Sequence, residues 1–283
     1  MFHVDAAAKT FTTSDGATLA TLEAGSGTPL IMIPGWSQTA RQWHHQINHF
    51  QKTHRVIAMD MRGHGASQKV THGFRVTRFA RDVRELMEAY DLTDAVLMGH
   101  SMGCSVIWAY YDAYGADRLS KLVLCDQSPS LSNNDALTEA EKADAGALFT
   151  PAATYETASA LAGDADGTVT TGFVGGMFTK AADRDLVAAV IEANLELPRR
   201  EAATLLIDHV GMDWRDVIAR ISIPVLAVGG TASLVPHHAV RWTAATTGGR
   251  AEIFEEGEGG AHFMFMENPE KYNRIVGEFL SDA

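Results

Sequence analysis

The chain has 283 residues, of which 46% are hydrophobic and 20% charged, and its formal net charge is −12. This composition is that of an ordinary globular protein and excludes the disordered and fibrous classes. The negative charge disfavours nucleic acid and anionic membrane surfaces as partners, so we expect a small molecule instead.

No apolar run is long enough to span a bilayer, and the N-terminal stretch lacks the pattern of a secretory signal. We therefore expect a cytoplasmic protein with no membrane partner. The two cysteines, Cys104 and Cys125, lie in apolar segments and are expected to stay reduced. No Cys/His spacing indicates a zinc site. We expect no metal and no cofactor, and a homodimer is left open.

Six short apolar runs alternate with longer helical patterns along the chain. Near-continuous apolar strands separated by helices are typical of a parallel sheet that is buried on both faces. The sequence therefore predicts an α/β architecture. The runs are LIMIP at 30–34, RVIAMD at 55–60, DAVLMG at 94–99, KLVLCD at 121–126, IPVLAVGG at 223–230 and AEIFEE at 251–256.

One long segment, between the fourth and fifth runs, is mostly helix-like and lacks strand patterns. We interpret 128–215 as a helical lid inserted between two parts of a core domain, 1–127 and 216–283. Because open α/β sheets bind ligands at the carboxyl ends of their strands, a lid inserted there is expected to wall a pocket.

A serine follows the third run directly. The pentapeptide GHSMG (99–103) fits the pattern G-x-S-x-G, between a strand pattern and the helical pattern CSVIWAYYDAYG. Small residues at both ends allow a sharp turn that exposes the Ser101 hydroxyl at the start of a helix. The sequence therefore predicts that Ser101 is a nucleophile.

A serine hydroxyl needs a neighbouring base to take its proton. The chain has twelve histidines, and His262 lies in the glycine-rich loop GEGGAH between the last strand pattern and the final helix pattern. Such a loop can carry an imidazole over the strand ends, so His262 is the predicted base. His100 is expected to point away from Ser101 and to pack in the wall of the site. The remaining histidines considered are predicted on helix surfaces or in a turn, namely His44, His45, His49, His64, His237 and His238.

These motifs, together with PGW (34–36), DMRGHG (60–65) and GAH (260–262), resemble the α/β-hydrolase fold superfamily over nearly the whole chain. The resemblance implies a mostly parallel eight-stranded sheet flanked by helices, with a helical lid inserted after the sixth strand. It also implies that the backbone N–H groups of Trp36 and Met102 form the oxyanion hole. Each such donor is worth roughly 3 kcal/mol of transition-state stabilisation. The segment RGHGAS (62–67) is expected to support loop geometry only.

The acidic member of the triad is missing from its usual place. In most relatives it follows the strand that here reads IPVLAVGG, but Ala232 holds the corresponding position, and no Asp or Glu occurs from Val217 to Ala251. Asp126, at the end of KLVLCD, is the best candidate, because some superfamily members, including zearalenone-type lactonases, place the acid after this strand. Two alternatives stay open. Asp126 could instead bond the backbone of 127–130 in a loop, and the acid could be Glu255, Glu256 or Glu258.

The leading hypothesis is a serine hydrolase, an esterase or lactonase, in which Ser101 attacks the carbonyl, His262 relays the proton and Asp126 orients His262. The chain also resembles cofactor-free 3-hydroxy-4-oxoquinaldine-type dioxygenases, in which an Asp–His pair deprotonates a heteroaromatic substrate. That group has a histidine two residues after the loop tryptophan, where this chain has Gln38. A non-catalytic small-molecule receptor is the third hypothesis.

The predicted substrate site has an apolar or aromatic character, although packing of the lid onto the core would explain its lid residues equally well. The residues predicted to bind substrate are Trp36, Gln38, His100, Phe149, Tyr155, Phe173, Met177 and Phe178.

Overall fold

The computed structural model describes residues 2–133 and 135–282. Within them, eight strands form one sheet in the order β1-β2-β4-β3-β5-β6-β7-β8. The β1–β2 and β2–β4 pairs are antiparallel and the other five pairs are parallel. The predicted fold class is confirmed. The strands are β1 (Ala7–Thr12), β2 (Thr18–Ala24), β3 (Pro29–Ile33), β4 (Arg55–Met59), β5 (Ala95–His100), β6 (Leu119–Cys125), β7 (Val225–Gly230) and β8 (Arg250–Phe254).

The six apolar runs correspond to strands β3 to β8, and the central strands β5 and β7 are buried along their whole length. Helices on both faces remove these strands from water, which explains why their sequences are apolar throughout rather than alternating. The sequence of the edge hairpin, β1 and β2, does not show this continuous apolar pattern. Strand β1, AAKTFT, is exposed at five of its six positions, so little in its composition distinguishes it from a loop.

Helices cover the two faces of the sheet. Helix α2 buries an apolar face that includes Phe79, Val83, Leu86 and Met87. Helices α2 and α3 pack on one face, while α1, α11 and α12 pack on the other. The helices of the core are α1 (His44–Phe50), α2 (Val76–Ala89), α3 (Met102–Tyr114), α10 (His237–Thr247), α11 (Met264–Glu267) and α12 (Pro269–Ser281).

Between β6 and β7 the described residues form six further helices, and we call them the inserted helices. They are α4 (Glu139–Ala145), α5 (Pro151–Ala162), α6 (Thr168–Gly175), α7 (Arg184–Asn194), α8 (Arg199–Val210) and α9 (Arg215–Ile218). Local capping defines several of their starts, with Thr150 before Pro151 in α5 and Asp183 before α7. Within the helix-like segment, the described part of 132–149 forms only the short α4, and residue 134 lies outside the described residues.

Cys104 and Cys125 are both free and buried. Among the helices of the described residues, none is long and apolar enough to cross a membrane. The same residues hold no cluster of three or more His, Cys, Asp or Glu side chains arranged to hold a metal ion.

Candidate active site

Ser101 occupies a strained turn between β5 and α3. Its backbone has φ 53° and ψ −126°, a conformation that costs a non-glycine residue of order 1–3 kcal/mol. Two backbone hydrogen bonds hold the turn: Ser101 N donates to Cys125 O at 2.8 Å, and Cys104 N donates to Ser101 O at 2.8 Å. The predicted elbow is therefore present, and it presents Ser101 to a cavity above the sheet.

The glycine at 103 is required by the close approach of α3 to β3. A Cβ atom there would lie 2.3 Å from the backbone oxygen of Ile33. We expect Gly103→Ala to reduce the free energy of unfolding by about 1–3 kcal/mol, because strand and helix must separate to accept the methyl group. Denaturant unfolding measures this change. Gly172→Ala is the matched control, since no atom lies within 4 Å of its added Cβ in α6, and a helical Gly→Ala exchange stabilises by up to about 1 kcal/mol. Equal stability of the two variants would contradict the packing argument.

Asp126 and His262 form a buried pair at the carboxyl end of the sheet. The distance from His262 Nδ1 to Asp126 Oδ2 is 2.6 Å. Asp126 follows β6 directly and has φ 54°, while its own N–H donates to Val228 O at 2.8 Å. A carboxylate at Nδ1 fixes the tautomer in which Nδ1 carries the proton, so Nε2 is left as the basic nitrogen. His262 and Ser101 line the same cavity.

Ser233 completes the surroundings of the carboxylate. Its hydroxyl donates to Asp126 Oδ2 at 2.5 Å and accepts the Val235 N–H at 3.1 Å. Burial raises the pKa of Asp126, while the hydrogen bonds from His262 and Ser233 and the nearby N–H of Gly230 oppose that rise. The loop after β7 has no acid of its own, but it supplies a donor to the acid that follows β6. No sequence signal had marked Ser233.

The alternatives considered for the acid are not supported by the geometry. Glu255 and Glu256 are exposed to solvent, and Glu258 pairs with Lys271 at 2.6 Å. In the part of the chain that the structure describes, the Asp126 carboxylate makes no hydrogen bond to the backbone of 127–130. The structure brings Asp126, rather than the glutamates, to the ring of His262.

The loop that carries Trp36 is held in shape by the RGHG turn. Ser37 has φ 62°, and its N–H donates to His64 Nε2 at 3.2 Å. His64 Nδ1 in turn donates to Arg62 O at 2.9 Å. Burial lowers the pKa of His64 to about 4, so the ring is neutral and can accept from Ser37. The segment RGHGAS (62–67), which was predicted to support loop geometry, thus supports the loop that carries Trp36.

The resemblance implies that the backbone N–H groups of Trp36 and Met102 bind an oxyanion. Met102 is the first residue of α3, where backbone N–H groups have no acceptor inside the helix. For the Trp36 N–H, residues 2–133 and 135–282 offer no hydrogen-bond acceptor. Both N–H groups are therefore without a partner in the described residues, as the implied role requires, and the partial positive charge of a helix N-terminus favours a negative group.

Gln38 and His100 form a second polar pair behind the nucleophile. Gln38 Oε1 accepts the Gly35 N–H at 2.9 Å and faces His100 Nδ1 at 2.9 Å. The Gly35 N–H requires an oxygen acceptor, so its hydrogen bond to Gln38 fixes the orientation of the Gln38 amide. The Nε2 group of Gln38 then lies toward Ser101: a Cβ placed on Gly35 would be 2.8 Å from Gln38 Nε2 and 2.9 Å from Ser101 Cβ.

His100 also contacts the backbone of the candidate base. Its Nε2 lies 2.8 Å from the carbonyl oxygen of His262, and the two rings are 4.5 Å apart. Burial, followed by the proximity of His262, keeps the pKa of His100 well below its usual value. A neutral His100 has one N–H group, so it donates either to Gln38 Oε1 or to the His262 carbonyl oxygen and only contacts the other.

The cavity above Ser101 has a volume of about 270 Å³. Its walls are mostly apolar, and five of the residues predicted to bind substrate lie in them: Trp36, Gln38, Phe149, Phe173 and Met177. The other residues that line it are Ser101, Gln127, Leu131, Leu148, Val174, Asn194, Leu206, His209, Leu234, Val235, His262 and Phe263.

Three residues predicted to bind substrate lie elsewhere, which corrects the expectation that they line the site. Tyr155 is 61% exposed on α5. Phe178 stacks on Phe263 with their ring centroids 4.6 Å apart, outside the cavity wall. His100 is fully buried behind the wall. Aromatic composition alone could not distinguish the faces of the inserted helices.

The segment between β6 and β7 directly contacts the loops that carry Trp36 and His262. Trp36 Nε1 donates to Ala202 O at 2.8 Å, and Ser37 Oγ donates to Asn194 O at 2.5 Å. The backbone N–H of His262 donates to Met177 O at 3.0 Å. A larger open groove of about 1150 Å³ lies between α7 and the loop after β8, but it contains neither Ser101 nor His262.

Comparison with known proteins agrees with this geometry. A family model described as the alpha/beta hydrolase fold matches residues 28–269, and the chain belongs to this family. A non-heme haloperoxidase from Rhodococcus erythropolis is 36% identical over 121 residues. That match covers 42% of this chain and 44% of the relative, so less than half of either protein is aligned.

Two solved structures share nearly the whole fold. A bromoperoxidase from Bacillus anthracis superposes with a TM-score of 0.88 at 20% identity, covering 98% of this chain and 100% of that one. An esterase from Exiguobacterium antarcticum has a TM-score of 0.85 at 23% identity, covering 97% and 99%. At these identities the likeness shows the fold alone.

Proposed function

We propose that the protein is a serine hydrolase that cleaves a carboxylic ester or lactone of a small apolar or aromatic substrate. The observation that carries the proposal is the buried Asp126–His262 pair, 2.6 Å apart, on a cavity that also receives Ser101. An esterase from Exiguobacterium antarcticum shares this fold, so the fold is compatible with this class of reaction.

The residues account for each step of acyl transfer. His262 Nε2 takes the Ser101 proton as Oγ attacks the carbonyl carbon, and Asp126 stabilises the imidazolium that forms. The Trp36 and Met102 N–H groups stabilise the oxyanion. His262 then gives its proton to the leaving alcohol oxygen as the C–O bond breaks. A water molecule, deprotonated by His262, releases the acid and restores Ser101.

The cavity supports a small substrate of low polarity. Its volume of about 270 Å³ is at the lower end of the usual range for ligand pockets. Aromatic and aliphatic side chains such as Trp36, Phe149 and Phe173 form most of its wall. In a lactone, the leaving oxygen remains attached to the acyl group, so that both ends of the product stay in this cavity until deacylation.

Covalent labelling tests the proposal. We expect a fluorophosphonate to modify Ser101 stoichiometrically, with the adduct mapped by peptide mass spectrometry. Ser105→Ala is the matched control, because Ser105 lies one turn further along α3 and is buried, so its loss should leave labelling unchanged. Labelling elsewhere, or none, would contradict an activated Ser101.

A substrate panel separates the hydrolase from the other hypotheses. Aryl esters and lactones test hydrolysis, 3-hydroxy-4-quinolones with an oxygen electrode test the dioxygenase hypothesis, and bromide with hydrogen peroxide tests the activity named for the haloperoxidase relatives. We expect ester or lactone turnover that depends on Ser101. Oxygen consumption that persists in Ser101→Ala would favour the dioxygenase, and binding without turnover would favour a receptor.

A further inference from the structure

We propose that His209, on inserted helix α8, forms a second recognition point in the cavity and binds a neutral hydrogen-bonding group of the substrate, such as a ketone, hydroxyl or amide. This inference rests on the proposed function in one respect, because it takes the ligand of the cavity to be the substrate of Ser101. His209 lies in a helical pattern with no motif around it, so no sequence signal marks it as functional.

His209 is a buried polar side chain in an otherwise apolar part of the wall. It is 4% exposed, its ring lines the same cavity as Ser101, and Leu206 precedes it by one turn on the same helix. Within the described residues neither ring nitrogen makes a hydrogen bond. Nδ1 is enclosed by protein, which leaves Nε2 as the nitrogen open to the cavity.

Two other polar side chains in the wall, those of Gln127 and Asn194, differ from His209 because each already makes a hydrogen bond. Gln127 Nε2 donates to Ser128 O at 3.2 Å, and Asn194 Nδ2 donates to Val190 O at 2.7 Å. A buried polar group without a partner destabilises the protein. A leucine would fill the same wall without this cost. A ligand that forms a hydrogen bond with His209 removes this cost and therefore binds more tightly.

The surroundings of His209 determine the charge of the ligand group. Burial lowers the pKa of His209 to about 3, and no carboxylate lines the cavity with it. At neutral pH the ring therefore carries a single proton, and Nε2 makes one hydrogen bond, as donor or acceptor according to the tautomer. A carboxylate would lose its hydration here without meeting a positive charge, so a neutral group fits better.

Matched esters test the inference. We expect the wild type to cleave p-nitrophenyl 4-oxopentanoate or 5-oxohexanoate about five- to tenfold more efficiently, in kcat/KM, than the pentanoate or hexanoate of the same chain length. His209→Leu should abolish this preference while retaining turnover of the plain esters, and His209→Gln should keep part of it. Denaturant unfolding confirms that the variants fold.

Binding measured in the Ser101→Ala background separates this inference from the proposed function. Calorimetry with the same esters requires no turnover, so it reports on His209 even when Ser101 proves not to be a nucleophile. We expect the oxo esters to bind more tightly to Ser101→Ala than to Ser101→Ala/His209→Leu. Equal affinities, or a loss of kcat/KM that is the same for oxo and plain esters, would show that His209 only packs in the wall.

Discussion

Replacing Ser101 with alanine is expected to lower kcat for any ester the protein cleaves by at least about 10⁴-fold. The substitution removes the only atom that can form the acyl-enzyme in the proposed mechanism, while the oxyanion donors and the cavity remain. Residual hydrolysis would come from water activated by His262 beside those donors. Initial rates with an aryl ester, corrected for the spontaneous reaction, measure the effect.

The fold should tolerate this substitution. Ser101 and alanine pay a similar cost at φ 53°, because both carry a Cβ atom. The free energy of unfolding should therefore change little, and a substrate ester should still bind. Ser105→Ala provides the reference for a neighbouring serine with no chemical role. A Ser101→Ala protein that retains a tenth or more of the wild-type rate would overturn the acyl-enzyme mechanism.

Asp126→Asn is expected to reduce kcat by roughly 10⁴-fold with little change in KM, as loss of the triad acid does when the geometry is otherwise preserved. An asparagine can present its NH₂ group to His262 Nδ1, which favours the wrong tautomer and offers no charge to the imidazolium. The free energy of unfolding at neutral pH should not decrease. Burial raises the pKa of Asp126, which means that the ionised carboxylate is held in the fold at a cost that asparagine avoids.

Ser233→Ala is the graded control for Asp126. Removing a donor that lowers the pKa of Asp126 should raise that pKa further. Because the mechanism needs the ionised carboxylate, the acid limb of the kcat/KM profile should move to higher pH. An Asp126→Asn variant with near-normal kcat would require the acid to come from another residue, and the loop at 255–258 would be the next to test.

The sequence allowed the fold to be predicted and Ser101, His262 and Asp126 to be proposed as the centre of the candidate site, which the structure brings to one cavity and one hydrogen-bonded pair. Strands covered on both faces must be apolar, and a nucleophile elbow requires small residues around its serine. The relocation of the acid could be inferred from the absence of carboxylates around Ala232. The role of Ser233 could not be inferred, because it depends on how closely the loop after β7 approaches the end of β6. No local sequence pattern indicates that distance.

The details of the cavity were harder to predict for the same reason. The inserted helices carry apolar residues on several faces, and only their packing decides that Phe173 faces the cavity while Tyr155 faces solvent. His209 had no motif, since a histidine in a helix is most often a packed or solvated residue. The fixed orientation of Gln38 likewise depends on Gly35 and His100, which are brought together by the turn of the chain and by the sheet.

The segment between β6 and β7 ties the cavity wall to the loops of the candidate site. Ala202 O accepts the side-chain N–H of Trp36, and Met177 O accepts the backbone N–H of His262. A substitution that shifts this segment is therefore expected to move the candidate oxyanion loop and the candidate base together with the wall that contacts the substrate, so that kcat and KM change together.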